Sequence, residues 1–128
     1  MKNAKIHRLG DLQLRILKAL WDRGEATVGD VLADLGPRAD LAYTTIATML
    51  RKMEARALVA HRAEGRTFVY RAVVEAEAVT RGMADHLLDR LFEGNLADLV
   101  DHLLTTREVS PEELRQLERL IAERRRKK

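Results

Sequence analysis

The chain has 128 residues, which suits one domain or a small domain with an appendage, and its formal net charge is +3. Hydrophobic residues make up 46% and charged residues 34%, a globular rather than disordered composition. The lack of cysteine excludes disulfides, thiolate metal sites and thiol catalysis, and no apolar run approaches the ~20 residues of a membrane span. Because MKNAKIHRLGD also lacks the apolar core of a signal peptide, we expect a cytoplasmic protein.

The first two predicted helices are marked by apolar stripes and by their ends. GDLQLRILKALWDRG predicts a helix that begins after Gly10, ends at Gly24 and carries the stripe Leu12, Ile16, Leu17 and Leu20, with Trp21 beside it. A short extended link, 25–27, follows. Thr27 and Asp30 then form a capping-box pattern. The second, short helix carries Val28, Val31, Leu32 and Leu35, and Gly36-Pro37 ends it.

The third predicted helix, about 41–56, contains AYTTIATMLRKM and has Asp40 as a plausible cap. Its apolar residues have the i, i+3, i+4, i+7 spacing of one buried face: Ile46, Met49, Leu50 and Met53. The opposite side carries Thr44, Thr45, Thr48, Arg51 and Lys52. Threonine is a poor helix former, because its branched β-carbon restricts χ1. Stability therefore does not explain why three threonines lie on this face.

The chain then changes to a β pattern. LVAHR and TFVYRAV are β-prone runs separated by AEGR, a loop with a turn-permissive glycine, and together they predict a hairpin. Three helices followed by a hairpin are the layout of a winged helix-turn-helix domain, in which the hairpin is the wing. The expected core is Leu17, Leu20, Trp21, Leu32, Ile46, Leu50 and Met53.

Beyond about residue 74 the pattern predicts three further amphipathic helices. The last begins at Ser110-Pro111, where a Ser cap precedes Pro at the first helical position. About fifty residues give three helices too little core to fold comfortably alone, so we expect them to pair with a second copy in a two-fold dimer. The predicted fold is therefore mainly α with a β-hairpin wing, with a DNA-binding domain over 1–73 and a helical dimerisation domain over 74–128. The predicted dimerisation residues are Met83, Leu87, Leu91, Leu99, Leu103, Leu117 and Leu120.

Catalysis has little support in the sequence, and we expect no enzyme activity and no cofactor. The one serine, Ser110, lies at a predicted helix cap, the glycines form no phosphate-binding loop, and the four histidines are scattered. The nearest approach to a metal-ligand cluster is Asp98, Asp101 and His102, for which a solvated acidic face is the better interpretation.

Double-stranded DNA is the expected partner. Residues 1–73 carry 13 Lys/Arg and 8 Asp/Glu, whereas residues 74–123 carry 5 and 12, so only the front of the chain suits a polyanion. A threonine hydroxyl bonds a phosphate or a base edge, its methyl touches a thymine methyl, and arginine reaches guanine or phosphate. The predicted DNA-binding residues are Tyr43, Thr44, Thr45, Thr48, Arg51, Lys52, Arg62 and Arg66.

Other basic residues have weaker assignments. Arg62 and Arg66 of the wing and the arm Lys2, Lys5 and Arg8 suit phosphates better than bases, and each is about as well explained as an ordinary solvated charge. The tail RRRKK is better explained as a solubilising end than as a second DNA contact. The alternative for the whole protein is a winged-helix module whose threonine face binds another protein without sequence-specific DNA binding.

The sequence resembles the penicillinase-repressor family of bacterial winged-helix regulators, the BlaI/MecI type. LGDLQLRILKALW, LAYTTIATMLRKMEARALV and GRTFVYRAV carry the resemblance, and the C-terminal part matches by its helix pattern. The resemblance implies a dimeric repressor on a palindromic operator. In many members a membrane sensor protease relieves repression by cutting the dimerisation region, so a sensor-linked protease is a further possible partner.

The sequence departs from the family pattern at several positions. Without cysteine, the copper-thiolate sensing of a related branch cannot operate. Ala47 stands where the family often has an arginine in the recognition helix, which bears on the operator sequence. His102-Leu103 stands where β-lactam-responsive members are cut between Asn and an aromatic residue. Ala57 replaces a common glycine after the recognition helix, a change that concerns the turn.

Overall fold

The structure, a computed structural model, describes residues 9–36 and 42–127. In chain order its elements are α1 (Asp11–Arg23), β1 (Ala26–Thr27), α2 (Val28–Leu35), α3 (Tyr43–Ala55), β2 (Val59–Glu64), β3 (Thr67–Ala72), α4 (Ala76–Phe92), α5 (Leu96–Thr106) and α6 (Pro111–Arg126). The predicted fold class, mainly α with a small β wing, is confirmed. The chain forms two compact units, Met1–His86 and Leu87–Lys128. The functional boundary expected after residue 73 stays a prediction.

The ends of the first two helices follow their local sequence signals. At the start of α1 the backbone N–H of Gly10 donates to Gln13 Oε1 at 3.0 Å, and Gly24 ends the helix with φ 85°. At the start of α2 the capping box is reciprocal. The Asp30 N–H donates to Thr27 Oγ1 at 3.0 Å, and the Thr27 N–H donates to Asp30 Oδ2 at 3.1 Å. Two otherwise unpaired backbone donors are thereby satisfied.

The wing is part of a three-stranded antiparallel sheet with the order β1-β3-β2, and not the isolated hairpin that the sequence suggested. The link expected to be merely extended pairs with the wing, because Ala26 lies opposite Tyr70 and Thr27 opposite Val69. A two-residue strand is too short to show an alternating pattern in the sequence. The turn between β2 and β3 is also tighter than expected, since only Gly65 and Arg66 lie outside the strands.

The core of the first unit lies between α1, α2, α3 and the sheet. The expected residues Leu17, Leu20, Ile46, Leu50 and Met53 are fully buried, and Trp21 and Leu32 are partly buried against them. The beginning of α4 contributes the buried Val79, and Met83 packs against the same core. The Trp21 indole N–H donates to the Val74 carbonyl at 3.0 Å, which fixes the segment leading into α4 on α1.

The second unit consists of the end of α4 together with α5 and α6. Asn95 caps α5 by accepting from the Asp98 N–H at 3.1 Å, and Ser110 caps α6 by accepting from the Glu113 N–H at 3.1 Å, as predicted for Ser110. None of the described residues in this unit is buried. A groove of about 190 Å³ lies between α5 and α6, and Val100, Leu103, Leu104, Arg107, Val109, Glu113 and Leu117 line it.

The two ends of α3 differ from the expected ones. Its N-cap is Ala42 rather than Asp40, which lies outside the described residues, and Ala42 provides no side-chain cap. The helix ends at Ala55, and Ala57 then adopts φ 63° before β2 begins. This left-handed backbone is strained for alanine, because its Cβ approaches the following carbonyl.

Candidate nucleic-acid interface

The α3 helix presents its polar side to solvent because its apolar side is completely buried. Ile46, Leu50 and Met53 have no exposed surface. On the other side Thr44 and Thr45 are exposed and Thr48 is half-buried, with Tyr43, Arg51 and Lys52 also exposed. The structure therefore brings together all six DNA-binding residues that were predicted on this helix.

Local contacts and helix polarity favour anions at this face. The Arg51 Nη2 donates to Thr48 Oγ1 at 3.2 Å, so the guanidinium lies over the preceding turn of the helix. The first turn of α3 contains no acidic residue and its N-cap has no side-chain acceptor. Within the described residues, the first N–H groups of α3 and the positive end of its dipole therefore have no carboxylate on the same turn. Such an end binds phosphate well.

Arg62, one of two predicted wing contacts, is held by carboxylates. Its Nη2 lies 2.7 Å from Glu25 Oε1 and its Nη1 lies 3.1 Å from Glu64 Oε2. The hydrogen bond from Arg62 lowers the pKa of Glu25, and hydrogen bonds first with Glu25 and then with Glu64 raise the pKa of Arg62. The charge of Arg62 is therefore largely compensated within the protein, a pairing across 37 residues that the sequence does not reveal.

Arg66, the second predicted wing contact, lies at the turn and lines a groove between α3 and the wing. The volume of this groove is about 220 Å³, and its lining residues are Val28, Tyr43, Ala47, Arg51, Arg66, Thr67, Phe68 and Tyr70. Two of these described residues are arginines and none is acidic. Ala47 also lines the groove, and its side chain is small.

An aromatic cluster on the wing was missed by the sequence analysis. His61 Nδ1 lies 2.7 and 3.0 Å from the two carboxylate oxygens of Glu54 on α3, and the His61 ring stacks on Phe68 with centroids 4.2 Å apart. Tyr70 completes the cluster, and burial, followed by the charge of Glu54, raises its pKa. The available sequence signal was the strand alternation of TFVYRA, which puts Phe68 and Tyr70 on one face.

The predicted dimerisation residues fall in both units. Met83 packs against the core of the first unit, and the other six lie in the second. Leu87, Leu91, Leu103 and Leu120 are exposed, whereas Leu99 and Leu117 are half-buried. The second unit thus carries an apolar surface that its own helices leave partly uncovered.

Other predicted sites gain little from the structure. Over residues 9–36 and 42–127, no three His, Cys, Asp or Glu side chains are grouped so that they could hold a metal ion, and Asp98, Asp101 and His102 lie exposed on α5. No helix in the same ranges has the length and apolar character needed to cross a bilayer. The basic arm Lys2, Lys5 and Arg8 lies outside the described residues.

Known proteins resemble the chain over nearly its whole length. Residues 9–123 match the family described as Penicillinase repressor. The penicillinase repressor of Bacillus licheniformis is 26% identical over 124 residues, which cover 97% of each chain. The transcriptional regulator BlaI of Mycobacterium tuberculosis is 34% identical over 122 residues, covering 94% of this chain and 87% of the relative.

A comparison of structures found a MarR family protein from Bacillus stearothermophilus. The two chains are 22% identical with a TM-score of 0.48, and the alignment covers 94% of this chain and 75% of the other.

Proposed function

The chain belongs to the penicillinase repressor family of transcriptional regulators, and we propose that it represses transcription as a homodimer whose two α3 helices read a pseudo-palindromic operator. This family consists of repressors rather than enzymes. In the proposed mechanism the dimer occupies a promoter and excludes the transcription machinery. We place this activity in the cytoplasm.

The observation that carries the proposal is the composition of α3. A helix whose inner face is fully buried is held rigidly, and the exposed or half-buried residues Thr44, Thr45, Thr48, Arg51 and Lys52 offer hydroxyls and cations on its outer face. Thr48 and Arg51, which contact each other, reach base edges in the major groove, where Thr and Arg have matching donors and acceptors. Lys52 extends this surface.

Phosphate contacts supply the remaining affinity. The uncapped N-terminus of α3, with Tyr43, Thr44 and Thr45 in its first turn, faces one strand, and Arg66 of the wing faces the backbone beside it. We assign Arg62 a smaller part in this contact, because Glu25 and Glu64 already compensate its charge. Binding through these cations falls steeply as the salt concentration rises.

Dimerisation gives the operator its symmetry. The second unit has no buried described residue, and Leu91 and Leu120 are 70% and 53% exposed in a single chain. A second copy covers this apolar surface across a two-fold axis. Two recognition helices related by such an axis require half-sites separated by whole turns of the DNA helix.

We infer that any relief of repression by proteolysis acts on α5. If a sensor-linked protease cuts at His102-Leu103, it must first unwind α5, because both residues lie within this helix. Proteases bind their substrates in extended form, so the rate of cleavage would depend on local unfolding of the second unit.

DNA binding is tested by fluorescence anisotropy on the DNA upstream of the protein's own gene and on a random duplex of equal length. Thr48→Ala and Arg51→Ala are each expected to cost about 1–3 kcal/mol on the upstream DNA if both residues contact bases. On random DNA the same variants should change affinity much less, because base contacts carry the sequence preference. Thr80→Ala, an exposed threonine on α4, is the matched control.

Two results would decide against parts of this proposal. Equal losses on both duplexes would make Thr48 and Arg51 phosphate contacts rather than base contacts. If the unaltered protein binds the upstream DNA no better than the random duplex at moderate salt, the threonine face has another partner. The alternative of a protein-interaction module would then account for it.

A further inference from the structure

Phe68 presents a large apolar ring to solvent on the wing. It lies on β3 beside the turn of the wing, 46% of its surface is exposed, and it lines the groove between α3 and the wing. Its neighbours Val69 and Tyr70 on the same strand are buried, so the exposure is confined to Phe68 among these three residues.

The ring of Phe68 is held in place. Glu54 of α3 accepts from His61 of β2 at 2.7 Å, and the His61 ring stacks on Phe68 at 4.2 Å with an interplanar angle of 24°. Tyr70 contacts the Phe68 ring edge at a centroid distance of 6.4 Å. The exposed ring is thus tied to the recognition helix through two side chains, and it loses little conformational freedom when a ligand covers it.

The groove has the chemistry of a DNA backbone site. Arg51 lies on its α3 side and Arg66 on its wing side, with no carboxylate among its described lining residues. Its volume of about 220 Å³ lies below the usual ~300–1,000 Å³ of small-molecule sites. A nucleic acid strand combines anionic phosphates with the apolar faces of its sugars, and the lining of this groove combines two guanidinium groups with the apolar ring of Phe68.

We infer that Phe68 packs against a deoxyribose of one DNA strand, with the adjoining phosphates near Arg51 and Arg66, and that Glu54 and His61 position the Phe68 ring for this contact. The inference rests on the proposed function and adds to it an apolar contact whose strength depends neither on the base sequence nor on charge. Such a contact has its own signature. The sugar is the same in every sequence, so affinity for operator and random DNA falls equally, and no counterion is released, so the salt dependence is unchanged.

The test is the replacement of Phe68 by Ala, with binding to the upstream DNA and to a random duplex measured at several salt concentrations. We expect a loss of about five- to tenfold on both duplexes, which corresponds to about 1–1.4 kcal/mol, with an unchanged slope of log affinity against log salt. Phe68→Leu, which keeps an apolar side chain, should retain most of the affinity. Phe68→Thr removes the ring but keeps a residue that favours strands, so it repeats the measurement if the alanine variant folds poorly.

The positioning role is tested by a double-mutant cycle between His61 and Phe68. We expect His61→Ala to weaken binding about threefold in the unaltered protein and to have no further effect in the Phe68→Ala variant. Additive losses would show that His61 acts independently of Phe68. Val73→Ala, which trims another exposed apolar side chain of the first unit, is the control and should leave the affinity unchanged.

These outcomes separate the inference from the proposed function. If the unaltered protein prefers the upstream DNA but Phe68→Ala changes affinity by less than twofold, only the inference is overturned. A loss confined to the upstream DNA would also overturn it, because Phe68 would then contact a base. If the unaltered protein shows no preference for the upstream DNA, the proposed function itself fails.

Discussion

In the first unit Ile16, Leu17 and Leu20 of α1 are completely buried, whereas in the second unit the leucines of α4, α5 and α6 leave much of their surface in water. Both units carry amphipathic helices with similar apolar stripes. The first has a three-stranded sheet, three helices and the start of α4, which converge on one core, while the second has two helices and the end of α4. Amphipathic pattern alone therefore does not decide whether a helix is covered by its own chain.

The two units should therefore differ in how their structure depends on protein concentration. A closed core keeps the geometry of α3 and the wing independent of protein concentration. In the proposed dimer a second copy covers the apolar surface that one chain leaves open, so we expect the state of the second unit to depend on concentration. The following substitutions test that contrast in order of decreasing effect.

Leu20→Ala should destabilise the first unit by about 2–5 kcal/mol, because it removes a fully buried side chain from a packed core. Urea unfolding at several protein concentrations measures this, and the loss should not depend on concentration. Leu120→Ala is the matched change in the second unit, where the side chain is 53% exposed in a single chain. Its effect should shrink on dilution; equal, concentration-independent losses would remove the contrast between the units.

If the proposed dimer forms through this surface, Leu117→Asp should raise the dimer dissociation constant by about two orders of magnitude, or about 2.7 kcal/mol, because it places a charge on the apolar side of α6 that lines the groove. Sedimentation equilibrium measures the change. Gln116→Asp, at a neighbouring exposed position of α6, introduces the same charge and should leave the dimer intact. A Leu117→Asp protein that still forms dimers would place the interface on another surface.

Each unit contains one described non-glycine residue with a left-handed backbone, Ala57 with φ 63° and Glu93 with φ 50°. Ala57→Gly should stabilise the first unit by about 0.5–1 kcal/mol, since glycine adopts this conformation without steric cost. Thermal unfolding reports the change. Ala55→Gly, within α3, should destabilise the same unit by a similar amount.

Glu93→Gly should give the corresponding gain only at concentrations where the second unit is dimeric. A gain from Glu93→Gly that persists in dilute protein would mean that the second unit folds without a partner.

The sequence predicted most of what depends on near neighbours. At the helix starts, the side chains of Thr27 and Ser110 accept hydrogen bonds from backbone N–H groups three residues later. The stripe of Ile46, Leu50 and Met53 follows from helical periodicity. Because this stripe faces the core, the opposite side of α3 must face outward. These features were available because their partners lie within one or two turns of the same helix.

The remaining features depend on residues far apart in the chain. Glu25 pairs with Arg62, and β1 pairs with β3, across long stretches of intervening chain. Phe68 is a candidate DNA contact because of its exposure and its stacking on His61, which both depend on the folded structure. Short-range sequence patterns do not determine such pairs, because the same residues are also compatible with a hairpin whose side chains are simply solvated.

The two-residue strand β1 has a consequence for the energetics of binding. Because Ala26 and Thr27 pair with β3, the wing is fixed along its base by a strand that precedes α2, and the pair of Glu25 and Arg62 ties β2 to the same segment. An isolated hairpin would have to become ordered at the moment of binding, at an entropic cost that reduces affinity. A wing that is ordered beforehand largely avoids this cost, so in the proposed complex each wing contact would contribute more fully to the residence time of the protein on DNA.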